Sequence, residues 1–159
     1  SMAKILDLEP IERDLFRGEN EPADTGLPNI FGGQIAAQAL KAAGLTVDAE
    51  RSPHSIHGYF LRPGRRSDPV VFKVERDRDG RSFSARRVRA LQDGKVIFDL
   101  TASFHIDEQG GSLSPPIAAG VAGPDQCPPE APVSNPPAVE SRAVGGQEGP
   151  VGRRFSPTL

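Results

Sequence analysis

Two adjacent glycines and a glutamine, Gly32, Gly33 and Gln34, open the alanine-rich run FGGQIAAQALKAAG. A glycine in the first turn of a helix lets another group approach the backbone, where unpaired N–H groups and the positive end of the helix dipole point outward. A carbonyl oxygen that develops negative charge during a reaction can bind there, as in an oxyanion hole. Close packing of the helix start against a neighbouring strand also explains these glycines, and both explanations can hold.

Gln34 is the first polar side chain of that turn, and its amide can orient a water molecule or a carbonyl group. It cannot act as a general base, because an amide does not titrate near neutral pH. We therefore treat Gln34 as a candidate catalytic residue with an orienting role. The alternative is that its side chain only caps a loop carbonyl.

Two histidines, His54 and His57, lie in the segment HSIHGYFL. A histidine near the helix start can serve as a base at pH 7, so His54 is a candidate catalytic residue and His57 a candidate substrate-binding residue. The alternative for both is a hydrogen-bonded strand histidine. The third histidine, His105, falls on the polar face of a later strand, and we expect it to be solvated. Carboxylates at supporting spacings are missing, so the sequence predicts no metal site.

Charged residues crowd one predicted hairpin. They are Arg76, Arg78, Arg81, Arg86, Arg87 and Arg89, with Glu75, Asp77 and Asp79 between them. The guanidinium fork suits phosphate groups, so Arg81 and Arg86 are candidate substrate-binding residues. The alternative is a solvated surface on which these charges pair with one another.

One helix and a sheet must position these residues. The helix is expected over Phe31–Leu45, with Asn29 as its cap and Gly44 near its end. Strands are predicted at Ile5–Arg17, His54–Leu61, Val70–Arg76, Ser82–Leu91 and Lys95–Ile106. Hairpin signals stand at Asp79-Gly80 and Asp93-Gly94. Apolar residues change parity along the fourth of these strands, which predicts a bulge near Arg86-Arg87.

This order of elements predicts an α+β domain of the hotdog type. A five-stranded antiparallel sheet, with its last four strands in a meander, would wrap around one long central helix. Five alanines within Phe31–Gly44 surround that helix with methyl groups, which indicates a buried helix around which a sheet can close tightly.

Composition divides the chain and limits its function. Residues 4–107 are predicted to form the single domain. Residues 108–159 are predicted to be an extended or disordered tail, because residues 110–159 hold ten prolines and eight glycines. The net charge of -2 favours neither nucleic acid nor membrane as a partner, and Cys127 is the only cysteine. The single cysteine makes a reducing cytoplasm the simplest setting, and we expect neither a membrane span nor a signal peptide, because the sequence has no 18-residue apolar run and no basic-then-apolar leader.

Four segments together resemble the N-terminal half of the type II (TesB-like) acyl-CoA thioesterases: RDLFRG, FGGQIAAQAL, HSIHGYFLRPG and ERDRDGRSFSARRVRALQDGKVIFDLTASF. They occur in the family's order, with similar spacing, over about residues 5–107. The resemblance implies a hotdog fold and hydrolysis of fatty acyl-CoA to free acid and CoA, with no metal or redox cofactor. It also implies two hotdog units in one chain, with the catalytic aspartate, Ser/Thr and glutamine in the second.

Most of that second unit is missing from these 159 residues. The sequence leaves open whether the chain is a truncated product, a frame-disrupted product or a natural half-length protein. Thioesterases of this fold usually activate water with a carboxylate on or near the central helix, yet Lys41 is the only charged residue between Phe31 and Gly44. An alternative function is therefore a catalytically incomplete half that binds acyl-CoA or serves as a structural, dimerising module. A hotdog dehydratase is less well supported, because no Asp–His pair is suitably placed.

A lone hotdog unit would leave its sheet edge and its helix-end pocket half-built. Edge strands tend to pair, so the sequence predicts a homodimer or a larger homo-oligomer that imitates the missing half.

Overall fold

The computed structural model describes residues 2–20, 28–117 and 119–127. It divides into two compact units, residues 1–110 and residues 111–159. Within the described part of the second unit, the regular element is a 3₁₀ turn at Pro124–Gln126. The predicted tail falls largely on residues 128–159, which lie outside the described residues, and its predicted boundary at residue 108 stays a prediction.

The described residues of the first unit form two helices and six strands. In chain order these are α1 Met2–Ile5, β1 Glu9–Glu12, β2 Leu15–Gly18, α2 Gly32–Gly44, β3 Arg51–Phe60, β4 Val70–Asp79, β5 Phe83–Gln92 and β6 Lys95–Ile106. The strands form one antiparallel sheet in the order β1-β2-β4-β5-β6-β3. The α+β class and the long helix packed on an antiparallel sheet are therefore confirmed.

Helix α2 buries one side against the sheet. Its buried residues recur at helical spacing and are Ile35, Gln38, Ala39, Ala42 and Ala43. Lys41 is on the exposed side, and Ala36 and Leu40 pack at the margin of the core. Alanine at three of the buried positions lets the helix lie close to the sheet, and the core is completed by large side chains from the strands such as Phe72, Leu100 and Phe104.

The sheet has six strands instead of the predicted five, because the first predicted strand folds back on itself. Asp14 has φ 59, a left-handed conformation that aspartate tolerates better than most residues, and it turns the chain between β1 and β2. The Asp14 carbonyl accepts a hydrogen bond of 2.8 Å from the Val74 N–H. The carboxylate of Asp14 also pairs with Arg76 at 2.8 Å, so the turn is fixed to strand β4.

The predicted meander of four consecutive strands is wrong for its first strand. The meander consists of β4, β5 and β6, whereas β3 pairs with β6 on the far side. The N–H groups of Leu61 and Arg62 both donate to the Ile97 carbonyl, at 2.9 and 3.2 Å. The segment after β3 therefore remains attached to β6 before the chain leads to β4.

The predicted bulge in β5 is also wrong, because β5 alternates without interruption. Its buried residues are Ser84, Arg86, Val88, Ala90 and Gln92. The irregularity lies in the facing strand β4, between Arg76 and Arg78. The sequence pattern misled because a buried arginine occupies a core position.

Buried residues alternate through the centre of β6, at Phe98, Leu100, Ala102 and Phe104. Ile97 is buried as well, against the pattern. The pairing with β5 shifts register between Val96 and Phe98, which places Ile97 at an irregularity.

Candidate active site

Helix α2 begins at Gly32, and Phe31 is its N-cap in place of the predicted Asn29. Phe31 offers no side-chain cap, and its carbonyl accepts the N–H of Gln34 at 3.0 Å and that of Ile35 at 3.4 Å. Within the described residues, the N–H groups of Gly32 and Gly33 have no acceptor. The helix start therefore presents two free donors at the positive end of the dipole.

Aromatic rings leave little room for a side chain at either position. A Cβ on Gly32 would lie 3.0 Å from the Phe60 Cζ atom, and one on Gly33 would lie 2.5 Å from the Phe31 Cε1 atom. The Phe60 ring also packs at a tilt of 32° against the Phe98 ring, with centroids 4.5 Å apart. Packing against a neighbouring strand thus applies to Gly32, whereas Gly33 meets the ring of its own helix cap, and both contacts are compatible with open N–H groups.

The Gln34 side chain is tied to a residue that sequence reasoning missed. Its Nε2 donates to the Asn20 Oδ1 atom at 2.9 Å, and the Asn20 Nδ2 donates to the Asp68 carbonyl at 2.6 Å. Asn20 lines two cavities of about 580 and 300 Å³ that share Arg17, Glu19 and Asn20. The sequence offered no signal for Asn20, since it lies at the start of a polar loop far from Asp68 along the chain.

A second glutamine of α2, Gln38, is fully buried. The alanine-rich sequence around it did not predict a buried polar side chain. Its Nε2 donates to the Ile5 carbonyl at 2.9 Å and to the Glu19 carbonyl at 3.2 Å. Its Oε1 has no donor among the described residues. Gln38 therefore ties the segments on either side of the β1–β2 hairpin to the helix.

The two candidate histidines lie on β3, which is exposed from Ser52 to Phe60. The His54 Nε2 and the Ser103 Oγ are 2.8 Å apart, and the His54 ring meets the His105 ring edge-on at 6.0 Å. The His57 ring packs edge-on against Tyr59 at 4.9 Å. All three contacts are those of strand histidines, and none of them involves the helix start.

His54 is distant from the helix start within the chain. It precedes Phe60, the β3 residue that contacts Gly32, by six positions. At a rise of about 3.3 Å per residue this is about 20 Å along the strand. The expectation of a histidine near the helix start is therefore not met by His54 of the same chain.

Arg86 was predicted to bind a phosphate of the substrate, and this prediction is wrong. Its side chain is only 1% exposed and cannot reach one. Its five N–H hydrogens match five hydrogen bonds. The acceptors are the Thr46 Oγ1 at 2.8 Å, the Thr46 carbonyl at 3.0 Å, the Arg78 and Ala85 carbonyls at 2.9 Å each, and the Asp79 Oδ1 at 2.6 Å. Arg86 is a structural residue that joins the end of α2 to the β4–β5 hairpin.

Two of the remaining arginines pair with acids of the same hairpin, as the alternative explanation expected. Arg87 lies 3.1 Å from Glu75 and 3.0 Å from Asp77, and Arg89 also binds Glu75. Hydrogen bonding to Asp77 raises the pKa of Arg87. Arg81 is exposed, and its side chain has no partner among the described residues.

Asp68, whose backbone carbonyl accepts from Asn20, carries a carboxylate that is a poor general base. Its Oδ2 accepts a hydrogen bond of 2.6 Å from Arg65, and this bond holds the pKa of Asp68 below its ordinary value. Helix α2 itself carries no acidic residue. Residues 2–20, 28–117 and 119–127 contain no cluster of three metal-ligating side chains, and no helix among them is long and apolar enough to cross a membrane.

The sequence of this chain matches a known protein family. The sequence model of the acyl-CoA thioesterase N-terminal domain matches residues 20–105. The "Acyl-CoA thioesterase 2" of Haemophilus influenzae is 44% identical over 110 residues, which are 69% of this chain and 38% of that protein.

Solved structures share the fold. The acyl-CoA thioesterase II TesB2 of Mycobacterium marinum superposes with a TM-score of 0.71 and 44% identity, over 80% of this chain and 47% of that one. A hot dog fold protein of unknown function from Alicyclobacillus acidocaldarius gives a TM-score of 0.73 at 24% identity, over 85% of this chain and 50% of that one. The hotdog fold and the predicted resemblance are confirmed, and this chain spans less than half the length of the two acyl-CoA thioesterases.

Proposed function

Because this chain belongs to the acyl-CoA thioesterase N-terminal domain family, we propose that it is a hotdog unit of an enzyme that hydrolyses fatty acyl-CoA to free fatty acid and CoA. The family match over residues 20–105 is the observation that carries the proposal. The cellular setting that fits this chemistry is fatty acid metabolism in the cytoplasm, and no cofactor is required.

The helix start supplies the first part of the chemistry. Attack of water on the thioester carbon places negative charge on the carbonyl oxygen, and the free N–H groups of Gly32 and Gly33 are suited to stabilise that charge. The Gln34 amide, in the same turn, would orient the attacking water. The C–S bond then breaks, and CoA leaves as a thiolate that takes up a proton.

The second part, activation of the water, needs a base that α2 does not carry. We propose that a second hotdog unit supplies it, either from a longer chain or from a second copy of this one. Strand β3 suits such pairing, because its outer edge has no partner strand in the described part of the chain. It also exposes Ile56, Tyr59 and Phe60 by 53%, 62% and 59%. A homodimer or larger homo-oligomer would cover this edge.

Binding roles follow the same geometry. We propose that Gly32 and Gly33 contact the thioester, that His57 on the exposed strand contacts substrate, and that Arg81 contacts a phosphate of CoA. His54 remains a proposed catalytic residue only across an interface, since it lies far from Gln34 of its own chain.

The acid-free helix specifically favours a second candidate function, a half that binds acyl-CoA or builds an assembly without hydrolysing it. Release of free CoA from a chain-length series of acyl-CoAs, measured beside equilibrium binding of the same compounds, distinguishes the two. Hydrolysis predicts turnover that falls in Gln34→Ala and is unchanged in Gln109→Ala, a matched variant at an exposed position. Binding without turnover would favour the second candidate, and neither binding nor turnover would contradict both.

A further inference from the structure

The hydrogen bonds around Asn20 have a fixed direction. The Asp68 backbone carbonyl can only accept, so the amide nitrogen of Asn20 must face it, at 2.6 Å. The Oδ1 of Asn20 then faces Gln34 and requires a donor, which orients the Gln34 Nε2 toward it at 2.9 Å. A single backbone carbonyl therefore determines which way both side-chain amides point.

The anchoring carbonyl is itself held in place. It also accepts a hydrogen bond of 2.8 Å from the Nε2 of Gln92, a buried residue of β5. The Gln92 amide in turn accepts from the Arg65 N–H and donates to the Arg65 carbonyl, both at 2.8 Å. The segment that carries Asp68 is thereby fixed to the sheet. Asn20 links this segment to the helix start through its hydrogen bonds to the Asp68 carbonyl and to Gln34.

These hydrogen bonds fix the direction in which the side-chain oxygen of Gln34 points. With one Nε2 hydrogen bound to Asn20, the Oε1 atom points away from Asn20 and has no donor among the described residues. An amide that could flip would offer oxygen and nitrogen alternately, and would hold a water molecule in two opposite orientations. The hydrogen bonds from the Asp68 carbonyl through Asn20 leave the Gln34 Oε1 to face the water. This oxygen accepts a hydrogen from the water molecule, whose own lone pair remains available for attack.

We propose that Asn20 is a positioning residue for hydrolysis, acting through Gln34 so that the Oε1 of Gln34 faces the attacking water. This inference rests on the proposed thioesterase function. It concerns the rate of the chemical step, since Asn20 itself contacts no reacting atom.

A double-mutant cycle with Gln34→Ala tests the proposal. Asn20→Ala is expected to lower kcat about five- to tenfold, the value of one neutral hydrogen bond, with KM changed less than about twofold. In the Gln34→Ala background, Asn20→Ala is expected to have no further effect. Asn29→Ala is the matched control, because the Asn29 side chain is exposed and has no described partner.

A second variant separates orientation from simple loss of contact. In Asn20→Asp the carboxylate can still accept from Gln34 but cannot donate to the Asp68 carbonyl, so the anchor is lost and kcat should fall as in Asn20→Ala. The side-chain NH₂ resonances of Gln34, assigned by their absence in Gln34→Ala, should shift upfield and exchange faster with water in Asn20→Ala, where their acceptor is removed. Thermal unfolding of each variant shows whether it is folded.

The outcomes distinguish this inference from the function on which it rests. Additive losses in the double variant, or Gln34 resonances unchanged in Asn20→Ala, would overturn the positioning role while wild-type turnover left the thioesterase proposal intact. Absence of wild-type turnover on every acyl-CoA would overturn both, whatever the resonances showed.

Discussion

Buried side chains of unexpected type give the sharpest tests at the scale of single residues. Arg86 replaced by Met loses five hydrogen bonds and leaves Thr46 and Asp79 without their shared donor. We expect a loss of about 3 kcal/mol or more in the free energy of unfolding, measured by urea denaturation.

Arg81→Met is the matched control for that substitution. Arg81 is exposed at the tip of the same hairpin, so its replacement should change stability by less than about 0.5 kcal/mol. Equal effects of the two substitutions would contradict the structural role assigned to Arg86.

Gly18 gives a second residue-scale prediction. A Cβ added there would lie 2.8 Å from the Nε2 of Gln38, which is fully buried and bound to two carbonyls. We expect Gly18→Ala to destabilise the fold by about 1–3 kcal/mol in the same urea assay. Gly110→Ala should be nearly neutral, because an added Cβ there meets nothing within 4 Å; a neutral Gly18→Ala would show that Gln38 can move.

At the scale of elements, the β1–β2 hairpin depends on a charge. The hydrogen bonds from Arg76 lower the pKa of Asp14 below its ordinary value of 3.8. A lowered pKa in the folded state means that the carboxylate stabilises the fold at pH values above 3.8, and that this contribution is lost as the pH falls through the folded-state pKa.

Asp14→Asn tests this contribution while preserving the turn, because asparagine also tolerates the left-handed conformation. The variant should be less stable than wild type at pH 6, and the difference should shrink as the pH is lowered below about 4. Urea unfolding at a series of pH values measures it. A difference that stays constant down to pH 2 would mean that the ion pair does not stabilise the hairpin.

The elements also show what sequence reasoning can and cannot reach. Helix α2 and the centre of β6 follow from periodicity, because their apolar residues face one core. Sequence reasoning missed the turn at Asp14 that divides the first predicted strand in two. A single aspartate does not by itself indicate a left-handed turn in a sequence. The β5 pattern was misinterpreted because Arg86 is buried, where Thr46 and the β4–β5 hairpin itself supply its five acceptors.

The site was predictable only in part for the same reason. Gly32, Gly33 and Gln34 are contiguous and identify the helix start by their order in the chain. Asn20 depends on a carbonyl 48 positions away, and the distance between His54 and the helix start depends on which residue of β3, here Phe60, contacts that helix start. Such long-range relations are set by topology and leave no local pattern.

At the scale of the whole molecule, the open edge of β3 predicts self-association. Sedimentation velocity should show a dimer or larger assembly, and Ile56→Asp should shift it toward monomer by placing charge on the exposed strand. Leu113→Asp, at a fully exposed position outside the sheet, is the matched control and should leave the assembly unchanged. A folded wild-type monomer at all concentrations would contradict the proposed pairing.

The most direct test of the account is the rate at which free CoA is released from a saturating long-chain acyl-CoA by the wild-type chain and by Gln34→Ala. The site proposed at the start of α2 predicts measurable turnover by the assembled wild-type protein. It also predicts a fall of at least about tenfold in the variant, because the water would lose its orienting acceptor. Equal rates for the two proteins would contradict the site at the start of α2, and no release by the wild type would contradict the proposed hydrolysis itself.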